Sequence, residues 1–173
     1  YLITRDLLRE CERKFARQFS LEWCRSYSEG AERVLRGDYD VCLLDYRLGV
    51  RSGLDLLREA VAGGCDKPLI LLTGQGDPVV DAAAMQAGAA DYVVKDAVDA
   101  AYLERTIRYA IVQKRIEQQL RSAAEQNARL MAAVQSASMG IVLTEGRAHD
   151  GGISFVNAAF TEMTGYVFED IAG

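Results

Sequence analysis

VCLLDYRLGVRSG, residues Val41 to Gly53, is the stretch whose reading decides the fold. Four apolar residues run into Asp45, and the chain then turns toward Gly53. A continuous apolar run of this length reads as a strand buried on both faces, as in a parallel sheet. Such a strand delivers its last residue to the carboxyl edge of the sheet, where open α/β folds place their chemistry. A carboxylate at that edge is either a functional group or a cap for the following helix.

Downstream of the stretch, a helix reads from about Gly53 to Ala62 on the stripe Leu54, Leu57 and Val61, ended by Gly63-Gly64. Pro68 leads into a second apolar strand, Leu69 to Leu72, which ends in Thr73. Asp77-Pro78 signals a helix start, an N-cap followed by proline at the first helical position, and that helix runs to Gly88. Tyr92 to Val94 form a short strand ending on Lys95, and a further helix begins near Asp99 with Leu103, Ile107 and Ile111 turned to the sheet. Upstream, Ile3, Leu7, Leu8, Cys11 and Phe15 make a helical stripe over residues 1 to about 16. Leu21, Trp23 and Tyr27 alternate with polar residues as a half-buried edge strand would. Ser28 is placed to cap a short helix through Arg36, with Ala31, Val34 and Leu35 inward and Gly37 as its stop. The alternation predicts an α/β fold: a doubly wound parallel sheet of five strands, flavodoxin-like, whose first strand is expected to lie upstream of Tyr1. Asp45, Thr73 and Lys95 then share one edge of that sheet, which weighs against Asp45 as a mere cap.

The last of these helices does not stop, since neither Pro nor Gly occurs between Asp99 and Met139. From Gln113 a seven-residue pattern emerges: Gln113, Ile116, Leu120, Ala123, Asn127, Leu130, Val134 and Ala137. Steps of three and four make a coiled-coil seam, and Asn127 at an a-type position favours a parallel dimer at a cost in stability. The alternative is a long amphipathic helix packed on its own domain; residues 114–129 are too polar for that. After Met139, Gly140 to Thr144 read as a strand, Glu145 to Gly152 as a polar turn and Ile153 to Val156 as the returning strand. Asn157 can cap the helix AAFTEMTG, which Gly165 ends.

The 173 residues carry a net charge of −5, which leaves no basic footprint for nucleic acid. No apolar run approaches the roughly 18 residues that would span a bilayer. The start YLITRDLLRE is interrupted by charges and does not read as a signal peptide. Cys11, Cys24, Cys42 and Cys65 show no metal spacing, and reduced thiols in the cytoplasm are expected. The single histidine, His149, lies in a Gly/Asp-rich turn and reads as a surface residue.

Asp45 after an apolar strand, Gly53 eight residues on, Thr73 after the next strand, Tyr92, and Lys95 after the last resemble the receiver (CheY-like) domain of two-component response regulators, over residues 1–113. GIVLTEG, ISFVNAAF and EMTGY resemble the first hairpin and helix of a PAS domain, an α+β fold that begins here over residues 138–173. The helix over 114–137 is the coiled-coil linker between them. The resemblance implies that Asp45 accepts a phosphoryl group from a histidine kinase or phosphotransfer protein, assisted by Lys95 and the Thr73 hydroxyl, and that Tyr92 is a switch. It places Arg47 and Gln75 beside the phosphoryl group and implies Mg2+, held by Asp45, the backbone carbonyl of Arg47 and an acidic pair expected upstream of Tyr1. The receiver itself would catalyse only its own phosphorylation and dephosphorylation, and whether an output enzyme domain exists is left open, since it would lie outside these residues. The change at Asp45 would pass along a dimer seam of Ile116, Leu120, Asn127, Leu130 and Val134 into the PAS segment and an output module, with no nucleic acid or membrane as partner.

The sequence departs from the family at two further positions: Gly49 stands where a proline is frequent, and Asp96 follows Lys95 where proline is usual. A trans bond is therefore expected at Lys95–Asp96. A phosphorylation-independent pseudo-receiver acting as a dimerisation scaffold is the competing reading. A haloacid-dehalogenase-type hydrolase needs a second Asp two residues after the first, where Arg47 stands, and a histidine kinase needs a His that the linker helix lacks.

Overall fold

The computed structural model describes residues 2–15, 19–24, 26–74, 76–145 and 152–171, with side chains from Leu8 onward. Ile3, Leu7, Gln75, His149 and most of the polar turn after Glu145 therefore lie outside the described residues or side chains. The chain divides into two compact units, Tyr1–Glu117 and Gln118–Gly173.

In the first unit, helix α1 (Leu2–Phe15) and helix α2 (Tyr27–Arg36) precede strand β1 (Cys42–Asp45). Two short strands, β2 (Arg47–Leu48) and β3 (Arg51–Ser52), lead into helix α3 (Gly53–Ala62). Strand β4 (Leu69–Thr73), helix α4 (Pro78–Gln86), strand β5 (Asp91–Val94), a single 3-10 turn (Lys95–Ala97) and helix α5 (Ala100–Gln135) follow. The described strands β1, β4 and β5 form a parallel sheet in the order β1-β4-β5. Its central strand explains the apolar run: Leu69, Ile70, Leu71 and Leu72 are all buried because helices cover both faces. On one face Leu44, Leu69 and Leu71 pack with Val34 of α2, Leu54, Leu56, Leu57 and Ala60 of α3 and Ala84 of α4. On the other, Ile70, Leu72 and Val93 pack with Leu8 of α1 and Leu103, Ile107 and Ala110 of α5. This is the doubly wound arrangement that the alternation predicts.

Local chemistry sets the helix ends. Ser52 caps α3 through a reciprocal box with Asp55, and Asp77 caps α4 with Pro78 behind it. Asp99 accepts a bond from the Tyr102 amide at the start of α5. Three expectations are corrected. Leu21 and Trp23 do not lie in a strand, because an alternating segment becomes one only where a neighbour accepts its backbone bonds, and the described sheet ends at β1. The cap of α2 is Ser26, not Ser28: its hydroxyl accepts from the Glu29 amide, and Tyr27 already belongs to the helix. On α3 the inward stripe is Leu54, Leu56, Leu57 and Ala60, while Val61 is exposed, since the helix lies between the sheet and α2 rather than on a single contact line.

In the second unit, strands β6 (Val142–Thr144) and β7 (Ile153–Val156) pair antiparallel, and helices α6 (Ala158–Thr164) and α7 (Phe168–Ile171) follow. Asn157 is 1% exposed and organises this unit. Its Oδ1 accepts from the amides of Ile141 at 2.7 Å and Phe160 at 3.1 Å, which caps α6. Its Nδ2 donates to the carbonyls of Val134 at 3.1 Å and Met139 at 2.9 Å, so the same side chain satisfies carbonyls at and beyond the end of α5. Gly165, at φ 79°, ends α6 in the left-handed conformation that glycine adopts without strain.

Candidate functional site

The register fixes where the three strand-end groups fall. Asp45 pairs with Leu72 across β1 and β4, and Leu72 pairs with Val93 across β4 and β5. Thr73 is thus one row beyond Asp45, and Lys95, two residues past Val93, is two rows beyond. Side chains alternate along a strand. By that alternation Asp45 shares the parity of Leu72 and Val93, which Lys95, two residues past Val93, keeps, and all three groups stand at one edge of the sheet.

That parity brings Asp45 and Lys95 together. Lys95 Nζ donates to Asp45 Oδ2 at 2.7 Å, with the two side chains 7% and 16% exposed. A buried ammonium without a partner is costly, and a pair with good hydrogen-bond geometry offsets that cost. The other oxygen, Asp45 Oδ1, accepts the backbone amide of Arg47 at 3.1 Å. Each oxygen of the carboxylate therefore has a donor. Sequence reasoning missed the Arg47 amide: a short hairpin in a stretch that reads as a turn is set by pairing, not by side-chain type. Arg47 pairs with Ser52 and Leu48 with Arg51, and the Gly53 amide closes the base on the Tyr46 carbonyl at 2.9 Å.

Gly53 is fixed by space rather than by conformation. A Cβ there would run into the Asp45 carbonyl oxygen and lie 3.1 Å from Leu71 Cδ1. The glycine allows the start of α3 to pass directly behind the strand end that carries Asp45.

Thr73 is buried at the end of β4. Tyr92 is half-buried against the α2–α4 side of the sheet, and its hydroxyl accepts the backbone amide of Asp77, the cap of α4, at 3.3 Å. The Arg47 side chain is exposed, and Gln75 lies outside the described residues. Every described peptide bond is trans, Lys95–Asp96 included. In the linker, Ile116, Leu120 and Leu130 are exposed on α5, as is Asn127, while Val134 is half-buried.

A magnesium ion takes about six oxygens in octahedral geometry. Both oxygens of Asp45 already accept bonds, and no group of three or more Asp, Glu, His or Cys side chains converges among the described residues. The described residues do not fit such an ion by themselves. What they offer is one anchored carboxylate with an ammonium against it, a geometry suited to a nucleophilic oxygen whose product gains negative charge. No helix among the described residues is long and apolar enough to cross a membrane.

Comparison with known proteins bears on the family and the fold. The sequence model of the response regulator receiver domain matches residues 3–108, more than half of the chain, and that of the PAS domain matches residues 128–172. The transcriptional regulatory protein DltR of Streptococcus agalactiae serotype III (strain NEM316) is 34% identical over 77 residues, which are 44% of this chain and 34% of DltR. The chain thus spans about a third of the length of that curated relative. Among solved structures, a response regulator receiver domain protein from Clostridium thermocellum is 28% identical with a TM-score of 0.57, covering 65% of this chain and 90% of its own. A response regulator from Burkholderia pseudomallei, solved with a phosphorylated aspartic acid, calcium ion and citrate, shares the fold at 19% identity and TM-score 0.53, covering 79% of this chain and 82% of its own.

Proposed function

This chain belongs to the response regulator receiver domain family, and on that footing we propose that Asp45 accepts a phosphoryl group within a two-component signalling pathway. The observation that carries the proposal is the 2.7 Å contact between Lys95 Nζ and Asp45 Oδ2. The donor is a phosphohistidine of a histidine kinase or phosphotransfer protein. Asp45 attacks phosphorus in line, the P–N bond breaks, and the imidazole leaves with its proton. Phosphoryl transfer of this kind is mostly positioning and charge stabilisation. Lys95, no longer needed by a carboxylate whose charge has moved outward, follows onto a phosphoryl oxygen, and the Thr73 hydroxyl turns to another. Mg2+ belongs to the family's chemistry, and Asp45 with the Arg47 carbonyl is this chain's contribution toward such an ion.

The rearrangement of Thr73 draws the segment before Asp77 inward. Tyr92, whose hydroxyl holds the Asp77 amide, is coupled to that movement. The surface of α4, β5 and the first turns of α5 changes with it, a local charge event that biases a two-state face. Since α5 continues unbroken from Ala100 to Gln135, the change passes along it into the PAS segment. We place a parallel coiled-coil dimer on the seam Ile116, Leu120, Asn127, Leu130 and Val134; Leu120 and Leu130 are about two-thirds exposed on the single helix. Free thiols suit a cytoplasmic setting.

Acetyl phosphate in magnesium buffer tests the first claim, on the protein carried far enough upstream to include the first strand and its expected acidic pair. Intact-mass measurement is expected to show one phosphoryl group per chain, lost in Asp45→Asn. Absence of uptake by the unsubstituted chain refutes the phosphoacceptor reading in favour of a phosphorylation-independent scaffold. Sedimentation tests the dimer: Leu120→Glu with Leu130→Glu is expected to leave a monomer, and a monomeric unsubstituted chain refutes the seam.

A further inference from the structure

We propose that Tyr27, Arg51 and Glu59 form a clamp that positions Asp45 through the short β2–β3 hairpin. The proposal rests on the reading of Asp45 as a phosphoacceptor. Lys95, which donates to one oxygen of that carboxylate, is fixed by burial. The Arg47 amide, which donates to the second oxygen, sits on a strand of two residues. A hairpin so short is not stable on its own, and its tip is the fully exposed Val50. Something outside the hairpin must hold Arg47 in place.

The returning strand is where it is held. Arg51 pairs with Leu48 in the ladder, and Ser52 with Arg47. The Arg51 guanidinium forms an ion pair with Glu59 Oε1 at 3.1 Å, and its Cζ stands 4.6 Å from the centre of the Tyr27 ring. The Tyr27 hydroxyl donates to Glu59 Oε2 at 2.9 Å. The two oxygens of one carboxylate thus tie the cation and the ring that stacks on it, and the triangle closes on itself across α2, β3 and α3. A lone surface pair contributes little. Three groups that restrain one another lose less freedom per contact, and both helices are seated in the core by Val34, Leu56 and Leu57. A planar guanidinium can stack and pair at once, which an ammonium does less well. The path from clamp to chemistry is short: Arg51 holds β3, β3 holds β2, and the β2 amide holds Asp45 Oδ1. Arg51 acts through others and is a positioning residue.

The test uses the same protein, first strand and acidic pair included, and two readouts, amide exchange at Arg47 and the rate of phosphoryl uptake from acetyl phosphate. Arg51→Ala is expected to speed exchange of the Arg47 amide about tenfold and to slow uptake several-fold, with global unfolding little changed. Arg51→Lys recovers part of both, and Tyr27→Phe, which keeps the ring but drops the bond to Glu59, falls between. Unchanged exchange in Arg51→Ala overturns the clamp. Faster exchange with unchanged uptake overturns its positioning role and leaves the phosphoacceptor reading standing. If the unsubstituted chain takes up no phosphoryl group, that reading fails, and the positioning role fails with it.

Discussion

Replacing Gly53 with alanine adds one methyl group at the most crowded point beside Asp45. That methyl would lie 3.0 Å from the Asp45 carbonyl carbon, closer still to its oxygen, and 3.1 Å from Leu71 Cδ1. Leu71 is buried and the other obstacle is backbone, so neither can swing aside. Overpacking of this kind costs about 1–3 kcal/mol. Relief requires the hairpin base to open, which stretches the 2.9 Å bond from the Gly53 amide to the Tyr46 carbonyl and costs up to about 1 kcal/mol more. Alanine in a helical first turn returns about 0.5–1 kcal/mol through the unfolded chain. The net expectation is a loss of about 1–3 kcal/mol. With a urea dependence of about 1–3 kcal/mol per molar for a small protein, the unfolding midpoint drops by about 1 M. Because the displaced atoms belong to Asp45, phosphoryl uptake falls as well; a 1 Å misplacement of a reacting group can cost about a hundredfold. Gly64→Ala is the control. Gly64 sits at φ 81° with open space around its missing Cβ, so alanine there meets conformational strain without a clash. If Gly53→Ala lowers the midpoint no more than Gly64→Ala, and uptake is unchanged, the claim that α3 must pass directly behind Asp45 is wrong.

Three further outcomes follow from the structure. Lys95→Met leaves Asp45 without its buried counter-charge and is expected to cost about 2–4 kcal/mol in urea unfolding; adding Asp45→Asn recovers part of that loss, and no recovery means the pair is not coupled. Asn157→Ala strands the Ile141 and Phe160 amides and the Val134 and Met139 carbonyls, so exchange at Ile141 and Phe160 should accelerate at least tenfold; Asn157→Asp keeps both accepted bonds and should protect those two amides better. Bonds from the Ser52 amide and hydroxyl hold the Asp55 carboxyl below its ordinary range. A depressed carboxyl contributes stability above its unfolded value and loses it as pH falls through the folded one, so the urea midpoint should drop below about pH 4, and drop less in Ser52→Ala.

Much of the site is legible in the sequence because it stands at strand ends. An apolar run long enough for a central strand announces where the strand stops, and Asp45, Thr73 and Lys95 are the first polar residues after three such runs. Helix boundaries at Gly37, Asp77-Pro78 and Gly165 are equally local, since capping and φ preferences act within a few residues. Sequence reasoning fails where an element depends on a neighbour. Leu21 and Trp23 alternate correctly for a strand but find no ladder. The stripe of α3 differs from the one its periodicity suggests because two surfaces, not one, press on that helix.

By itself, then, the sequence determined the order of the elements, the buried parallel strands and the residues delivered to the carboxyl edge, all of which follow from periodicity and chain stiffness. Only the tertiary structure decided which of those residues meet. Register and side-chain parity put Lys95 against Asp45. A backbone amide from a two-residue strand supplied the second donor. A carboxylate in α3 and a ring in α2 came to brace that strand. These contacts join residues up to 50 positions apart, as the Asp45–Lys95 pair does, and no local propensity encodes the pairing that brings them together.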